Sequence, residues 1–247
     1  MGRRDHRKSN QNPASLRLEW AGKITKGFFE FYNKEDRENI PVKRIRFVPL
    51  IERHAIGGFS KKHGVGLFSN EVDDIATQEL ILKKFQAGGS VELCRGIYKE
   101  MEGDRALHQC KYQKVVYAVI VKGDGLEPGT IARITLSGAS VGPWFDLSDD
   151  ERDETITITG SINLKNGDNE YRAPVYVVSK TTPEEEAMAE EAFEKVEAYI
   201  AGGPAAKAPA TDSEPEPDWD QSTGDEEQSQ ESPETEEADE FSDDIPF

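Results

Sequence analysis

The sequence Tyr-Gln-Lys-Val-Val-Tyr-Ala-Val-Ile-Val-Lys at residues 112–122 contains seven consecutive apolar residues, from Val115 to Val121. β-Branched side chains dominate this run, and its length is that of a strand. Apolar residues at both even and odd positions indicate a strand that is covered on both faces. We therefore predict a buried central strand at Tyr112–Lys122 and a β-rich fold around it.

Shorter strand-like segments lie on both sides of this run. Each combines β-branched or alternating apolar residues with flanking Gly, Pro, Asn or Asp. The predicted strands are Leu16–Trp20, Lys23–Tyr32, Val42–Arg53, Val65–Phe68, Glu79–Phe85, Ser90–Arg95, Gly129–Leu136, Thr155–Leu164 and Tyr171–Ser179. Lys165–Asn169 contains Asn-Gly, which favours the positive φ angles of a tight turn and predicts a hairpin there.

One segment interrupts the β pattern. Gly96–His108 has mixed helical character and lies just before the central strand. A small barrel with a helix between its third and fourth strands is the layout of an OB-fold. The order of strands, helical segment, Tyr112–Lys122 and Gly129–Leu136 fits that layout as one option. The predicted fold class is mainly β: an OB-fold-like small barrel with one helix between strands.

A helix and an acidic tail follow the β-rich part. Thr182 is a suitable N-cap, Pro183 suits the first turn, and three glutamates follow, which favour the positive end of the helix dipole. Beyond Gly202, the low-complexity sequence cannot bury enough apolar surface to offset its ordering entropy. The predicted organisation is a flexible basic arm (1–15), an OB-like domain (16–180), a C-terminal helix (181–202) and a disordered acidic tail (203–247).

The charge is divided unevenly along the chain. Residues 1–180 carry 28 Lys and Arg against 25 Asp and Glu, whereas residues 181–247 carry 2 against 23. The first 62 residues are basic, with 15 Lys and Arg and 7 Asp and Glu. The overall charge of −18 therefore describes the tail, and the N-terminal region remains suited to an anionic partner.

The sequence ends in Ser-Asp-Asp-Ile-Pro-Phe. Its last five residues resemble the C-terminal tip of bacterial single-stranded-DNA-binding proteins, whose tails finish in Asp-Asp-Ile-Pro-Phe. The resemblance implies that this tip binds replication, recombination and repair proteins. An aromatic ring beside a free carboxylate suits an apolar pocket edged by Arg or Lys, and the aspartates add attraction to a basic rim. The predicted tip residues are Asp243, Asp244, Ile245, Pro246 and Phe247.

The body of the chain does not show the N-terminal strand pattern of that family. It resembles phage-encoded proteins of the single-stranded-DNA-binding type in two stretches, Ile56–Phe59 through Leu67–Val72 and Leu136–Ala139 through Pro143–Phe145. The resemblance implies single-stranded DNA as ligand, the cytoplasm of a bacterial host as location and a phage as the favoured origin. It leaves the oligomeric state open, a homo-oligomer included.

A single-strand binder needs cations along the phosphate backbone and aromatic faces on which bases stack. The N-terminal region contains both. The predicted DNA-binding residues are Trp20, Lys43, Arg44, Arg46, Arg53, Phe59, Lys61 and Lys62. Phe59, in a glycine-rich segment beside two lysines, is the best stacking candidate, although a loop aromatic that fills the core remains an equal alternative. Phe47 faces opposite to Arg46 on a strand and is predicted to be core.

The division of charge suggests a regulatory hypothesis. The acidic tail can fold back on the basic region and compete with DNA, which would steepen the salt dependence of binding. DNA would then release the tip for partner proteins. The predicted function is sequence-independent single-stranded DNA binding in replication, recombination and repair, with the tip recruiting partners and the tail competing with DNA.

Several function classes find no support in the sequence. Gly22-Lys23-Ile24 lacks the features of a P-loop, and no Gly-x-Ser-x-Gly elbow occurs. The four His and two Cys residues never have zinc-finger spacing. No secretory signal and no run long enough to span a membrane is recognised. The sequence therefore predicts a protein without catalytic residues, cofactors, metal or membrane partner.

Three alternatives stay open at this point. A strand-annealing recombination mediator would share the tail but form rings or filaments on DNA. A replisome adaptor would use the tip while its body binds protein. An acidic decoy of nucleic acid ranks last, because the acidic residues are confined to the tail.

Overall fold

The computed structural model describes residues 12–33, 35–60 and 64–202. The predictions for most of the basic arm, for Lys61 and Lys62 and for the acidic tail with its tip therefore lie outside the described residues.

The described part of the chain is mainly β, as predicted. Its strands are β1 Leu16–Ala21, β2 Phe28–Asn33, β3 Glu38–Val42, β4 Ile45–Ser60, β5 Val65–Phe68, β6 Leu80–Gln86, β7 Gly89–Gly96, β8 Lys111–Gly123, β9 Ile131–Ser137, β10 Thr155–Asn166 and β11 Asn169–Ser179. Its helices are α1 Glu102–His108, α2 Val141–Phe145, α3 Asp149–Arg152 and α4 Pro183–Gly202, with a 3₁₀ turn at Gly138–Ser140. No helix among these residues is both long and apolar enough to cross a membrane.

Strand β8 is the predicted central strand. It pairs antiparallel with β4 on one side and with β9 on the other. Residues 115–120 are almost fully buried, at even and odd positions alike. Burial of both faces explains why this strand lacks the polar alternation of its neighbours.

Strand β4 joins two parts of the sheet. One of its edges pairs with β8 along most of its length. Its other edge pairs with β10 near its start, at residues 45–47, and with β5 near its end, at residues 57–60. The part of the sheet formed by residues 57–60 of β4 together with β5, β6 and β7 is called the wing.

Six of the strands outside the wing form a path that returns on itself, and β2 and β3 pair outward from β1. Hydrogen-bonded neighbours follow the order β1, β9, β8, β4, β10 and β11, with β1 and β9 parallel. A bridge between Lys23 and Tyr171, and a 2.8 Å hydrogen bond from the Arg172 amide to the Gly22 carbonyl, then connect β11 with the residues after β1. We call these six strands the body, and they contain the almost fully buried Leu18, Val116 and Ile134.

Helix α4 covers the outer surface of β4 and β8. Ala189, Ala192 and Val196 pack in one cluster with Ala55 and Val115. The predicted cap is confirmed, since the Glu185 amide donates to Thr182 Oγ1 at 3.3 Å. Small side chains on the helix allow this close approach to the sheet.

Three sequence predictions need correction. The strand predicted from Lys23 begins only at Phe28, because residues 22–27 turn with a positive φ at Gly27. The strand predicted at Val42–Arg53 is divided by residues 43–44 and extends to Ser60. The helix predicted over Gly96–His108 occupies only its second half. The helices between β9 and β10 were not predicted.

Candidate nucleic-acid interface

Three phenylalanines of the wing form an exposed aromatic surface, the aromatic platform: Phe59, Phe68 and Phe85. Phe59 is 60% exposed and Phe85 is 48% exposed. The rings of Phe68 and Phe85 stack, with centroids 4.4 Å apart and an interplanar angle of 29°. Exposed aromatic rings on a fixed sheet offer the flat faces on which nucleic-acid bases stack.

The strand register places the three rings on one face of the wing. Phe59 is directly opposite Gly66, and Phe68 is opposite Gly57. Paired residues of neighbouring strands point to the same face, as do residues two apart on one strand. Ring atoms of Phe85 lie 3.7 Å from the position that a Gly66 Cβ would occupy. The ring of Phe85 thus covers Gly66, a position at which β5 has no side chain of its own.

Two lysines lie on the same face as the platform. Lys83 is opposite Phe68, and Lys111 is opposite Gly57. Glu92, opposite Lys83, is neutralised by Arg95, whose Nε and Nη2 atoms each lie 2.6 Å from its carboxylate oxygens. The hydrogen bonds from Arg95 lower the pKa of Glu92. Glu92 is thus already paired with Arg95, and Lys83 and Lys111 add positive charge to this face.

A hydrogen-bonded loop between β5 and β6 holds the wing in position. The Ile56 amide donates to Ser69 Oγ at 2.9 Å. Asn70 joins the two ends of the loop, donating to the Glu79 carbonyl at 3.0 Å and accepting from the Ile81 amide at 2.6 Å. These contacts fix the orientation of the platform relative to β4.

A half-buried ionic cluster fastens this loop to the body. Glu71 accepts hydrogen bonds from Arg133 Nε at 2.6 Å and from the Tyr117 hydroxyl at 3.0 Å. Burial, followed by the charge of Glu71, raises the pKa of the Tyr117 phenol. Arg53 donates to the Glu71 carbonyl at 3.0 Å and to the Asp73 carboxylate. The cluster connects residues far apart in the sequence and stabilises the base of the wing.

Trp20, one of the predicted DNA-binding residues, is buried in this structure. It is 8% exposed, and its ring packs edge-to-face on Phe29 with centroids 5.1 Å apart. Its indole N–H donates to the Arg172 carbonyl at 2.9 Å. The physical reason is the turn at residues 22–27, which folds β2 and β11 over the indole.

Two of the predicted arginines are engaged in the fold. Arg53 is 9% exposed and bound to the Glu71 loop. Arg46 Nε lies 2.8 Å from Glu185 Oε1, and Arg46 Nη2 lies 3.2 Å from Glu185 Oε2. Because both guanidinium groups already bind carboxylates, a DNA phosphate would have to compete with those carboxylates for them. We therefore remove both arginines, with Trp20, from the candidate interface.

The remaining predicted residues are divided between the two ends of β4. Lys43 and Arg44 are exposed and precede the strand, whereas Phe59 lies near its end. A strand of 16 residues spans roughly 50 Å at about 3.3 Å per residue. The structure thus does not bring these residues together in one groove. Lys61 and Lys62, like the tip Asp243–Phe247, lie outside the described residues.

Sequence reasoning missed two of the three platform rings. Phe68 and Phe85 belonged to predicted strands, but nothing in the sequence alone specified which face was exposed. The signal that could have found them is Lys83-Lys84-Phe85, since two cations beside an aromatic on a short strand are unusual for a core position.

Comparison of the chain with protein-family models, with curated proteins and with solved structures gives no match in any of the three.

Proposed function

We propose that this chain binds single-stranded DNA without sequence preference, in replication, recombination and repair, and that bases stack on the aromatic platform. The observation that carries the proposal is the exposure of Phe59 and Phe85 beside Phe68 on one face of the wing. Burial would stabilise such rings, so their exposure on a well-anchored sheet is typical of a binding surface.

The chemistry of the platform fits a single strand. Every base has a flat π-face, so stacking on phenylalanine tolerates any sequence and contributes about 1–3 kcal/mol per base. Lys83 and Lys111 lie on the same face and are suited to contact the phosphates that follow the stacked bases. In a duplex the base faces are already stacked and cannot reach the rings.

The arrangement of strands supports an OB-like barrel as the scaffold. The path through β1, β9, β8, β4, β10 and β11 returns on itself, as a small Greek-key barrel requires. OB-folds bind oligonucleotides partly through the connection between their first two strands. If β4 and β8 are these strands, the wing belongs to that connection. The helices between β9 and β10 then take the place expected for Gly96–His108.

The tail completes the proposal. The C-terminal tip, Asp243–Phe247, recruits proteins of replication, recombination and repair, as its resemblance implies. The acidic residues before it compete with DNA for the cationic surface, because they concentrate negative charge on the same chain. The protein has no catalytic role in this proposal.

The test is a titration of a fluorescent oligo(dT) of about 30 nucleotides with the full-length protein, with a duplex of the same length for comparison. We expect salt-sensitive binding to the single strand alone. Phe59→Ala and Phe85→Ala should each weaken it about 5- to 100-fold, the loss of one stacking contact. Phe193→Ala is the matched control, since Phe193 is an exposed phenylalanine of α4 that lies off the platform.

The remaining outcomes separate the alternatives. Absence of binding at low salt, both by the full-length protein and by a chain that lacks Ala208–Phe247, would overturn the proposal and favour the adaptor, whose body binds protein. Faster pairing of complementary oligonucleotides would identify the strand-annealing mediator. Equal losses for the platform variants and Phe193→Ala would show that the platform is not the stacking surface.

A further inference from the structure

Helix α4 and the aromatic platform lie on the same face of the sheet. Ala55 of β4 packs in the cluster under α4. The register of β4 is regular from Ile51 onward, so Ala55, Gly57 and Phe59 point to one side. The platform therefore continues the face of the sheet that α4 covers.

A second group of cations lies at the other end of the same helix. Arg46, bound to Glu185 at the start of α4, is opposite Lys122 in the register of β4 and β8. Lys122 is exposed, as are Lys43 and Arg44, and Arg44 keeps 74% of its side chain exposed beside Asp124. Three exposed cations thus gather where α4 begins.

The outer surface of α4 is strongly acidic. The helix contains seven glutamates and one lysine. The lysine, Lys195, is paired with Glu191 at 2.7 Å, and Glu185 is taken by Arg46. The exposed glutamates include residues 186, 190, 194 and 197, which continue along the helix. At about 1.5 Å per residue the helix is roughly 30 Å long.

We infer that α4 is an acidic barrier that confines single-stranded DNA to the wing and so limits the length of strand that one molecule binds. The inference rests on the proposed function. A strand leaving the platform toward Lys122 would pass within a Debye length, about 8–10 Å, of the helix carboxylates and be repelled. The cations at the far end would then add nothing to the binding of a long strand.

The test measures affinity against oligonucleotide length with full-length protein. Oligo(dT) of 6, 10, 15 and 20 nucleotides is titrated against the wild type and against the variant E186Q/E190Q/E194Q/E197Q. Glutamine keeps the helix propensity of glutamate, so the helix should persist, which circular dichroism verifies. If the fourfold variant were unstable, E190Q/E194Q would replace it, with a smaller effect.

We expect the wild-type affinity to change less than about twofold between 10 and 20 nucleotides, and the variant to gain about tenfold through new phosphate contacts. Adding Arg44→Gln and Lys122→Gln to the variant should remove that gain. The matched control is E38Q/E127Q/D150N/E170Q, four exposed carboxylates outside α4. It changes the net charge equally and should raise affinity at all lengths alike.

Two results would overturn the inference. If wild type and variant bind DNA with the same length dependence, α4 is no barrier, while the proposed function stands. If the gain of the variant persists without Arg44 and Lys122, the strand does not follow this face. Absence of binding to every oligonucleotide would instead overturn the proposed function, and the inference with it.

Discussion

The guanidinium of Arg46 donates two hydrogen bonds to the carboxylate of Glu185, at 2.8 and 3.2 Å, and so connects β4 with the start of α4. Thr155 Oγ1 donates to the same carboxylate at 3.0 Å. These hydrogen bonds, that of Arg46 first, lower the pKa of Glu185 to about 2. Arg46, which the sequence predicted to be a DNA-binding residue, therefore fastens helix α4 to the sheet.

We expect Glu185→Gln to lower the free energy of unfolding by about 1–3 kcal/mol, because Arg46 would lose its charged partner in a half-buried place. Urea denaturation at neutral pH measures the change. Glu191→Gln, which removes the exposed pair with Lys195, should leave the urea midpoint nearly unchanged. Equal costs for both variants would show that the Arg46 pair does not fasten the helix.

The sequence predicts the elements whose signals are local. The run at residues 115–121, the Asn-Gly hairpin and the cap of α4 each depend on neighbouring residues, and all three are found. The turn at residues 22–27 was missed, since aromatic and β-branched residues on both sides gave it the appearance of a strand. Its conformation depends on β11, about 150 residues later.

The candidate site depends on contacts that sequence spacing does not show. Phe59 and Arg53 lie six residues apart on one strand, yet one is exposed and the other buried. The difference comes from Glu71, whose loop covers Arg53 and leaves Phe59 free. Only the register of β4 with β5 specifies that Phe68 shares the face of Phe59.

Trp20→Phe separates a core role from a DNA-binding role. The substitution removes the hydrogen bond to the Arg172 carbonyl and part of the buried ring. We expect a loss of about 1–3 kcal/mol in the free energy of unfolding, with the affinity for oligo(dT) within twofold of wild type. Phe59→Ala should show the reverse pattern. A selective loss of DNA affinity in Trp20→Phe would return Trp20 to the interface.

His54 makes the stability depend on pH. Burial, and then the charge of Lys114, lower its pKa to about 4, whereas an unfolded histidine titrates near 6.5. Between these values the unfolded chain binds a proton that the native protein does not. Stability should therefore fall as the pH decreases from about 6.5 toward 4. Thermal unfolding between pH 7.5 and 4.5 measures the effect.

His54→Gln should remove this part of the pH dependence. Glutamine can keep a hydrogen bond to the Tyr112 hydroxyl, which lies 2.7 Å from His54 Nδ1. His108→Gln, at the end of α1, is the matched control for the loss of one histidine. If the melting temperatures of the wild type and His54→Gln fall in parallel between pH 6.5 and 5, the proton taken up on unfolding binds to a group other than His54.

Deleting Ala208–Phe247 tests the competition between tail and DNA. This segment contains acidic residues but no Lys or Arg. We expect the affinity for oligo(dT) to rise about 3- to 10-fold at 50 mM salt, and the difference to vanish near 300 mM, because screening weakens both attractions. Fluorescence titration of both chains over this salt range measures it.

Two further chains separate the charge of the tail from its tip. A full-length chain with the Asp and Glu of residues 212–240 changed to Asn and Gln should bind DNA as tightly as the deletion does. A chain lacking only Asp243–Phe247 should bind like the wild type at every salt concentration, since most of the negative charge remains. Equal affinity of the wild type and the long deletion at 50 mM salt would contradict the competition. A gain in the chain that lacks only the tip, with none in the chain neutralised at residues 212–240, would assign the competition to the last five residues.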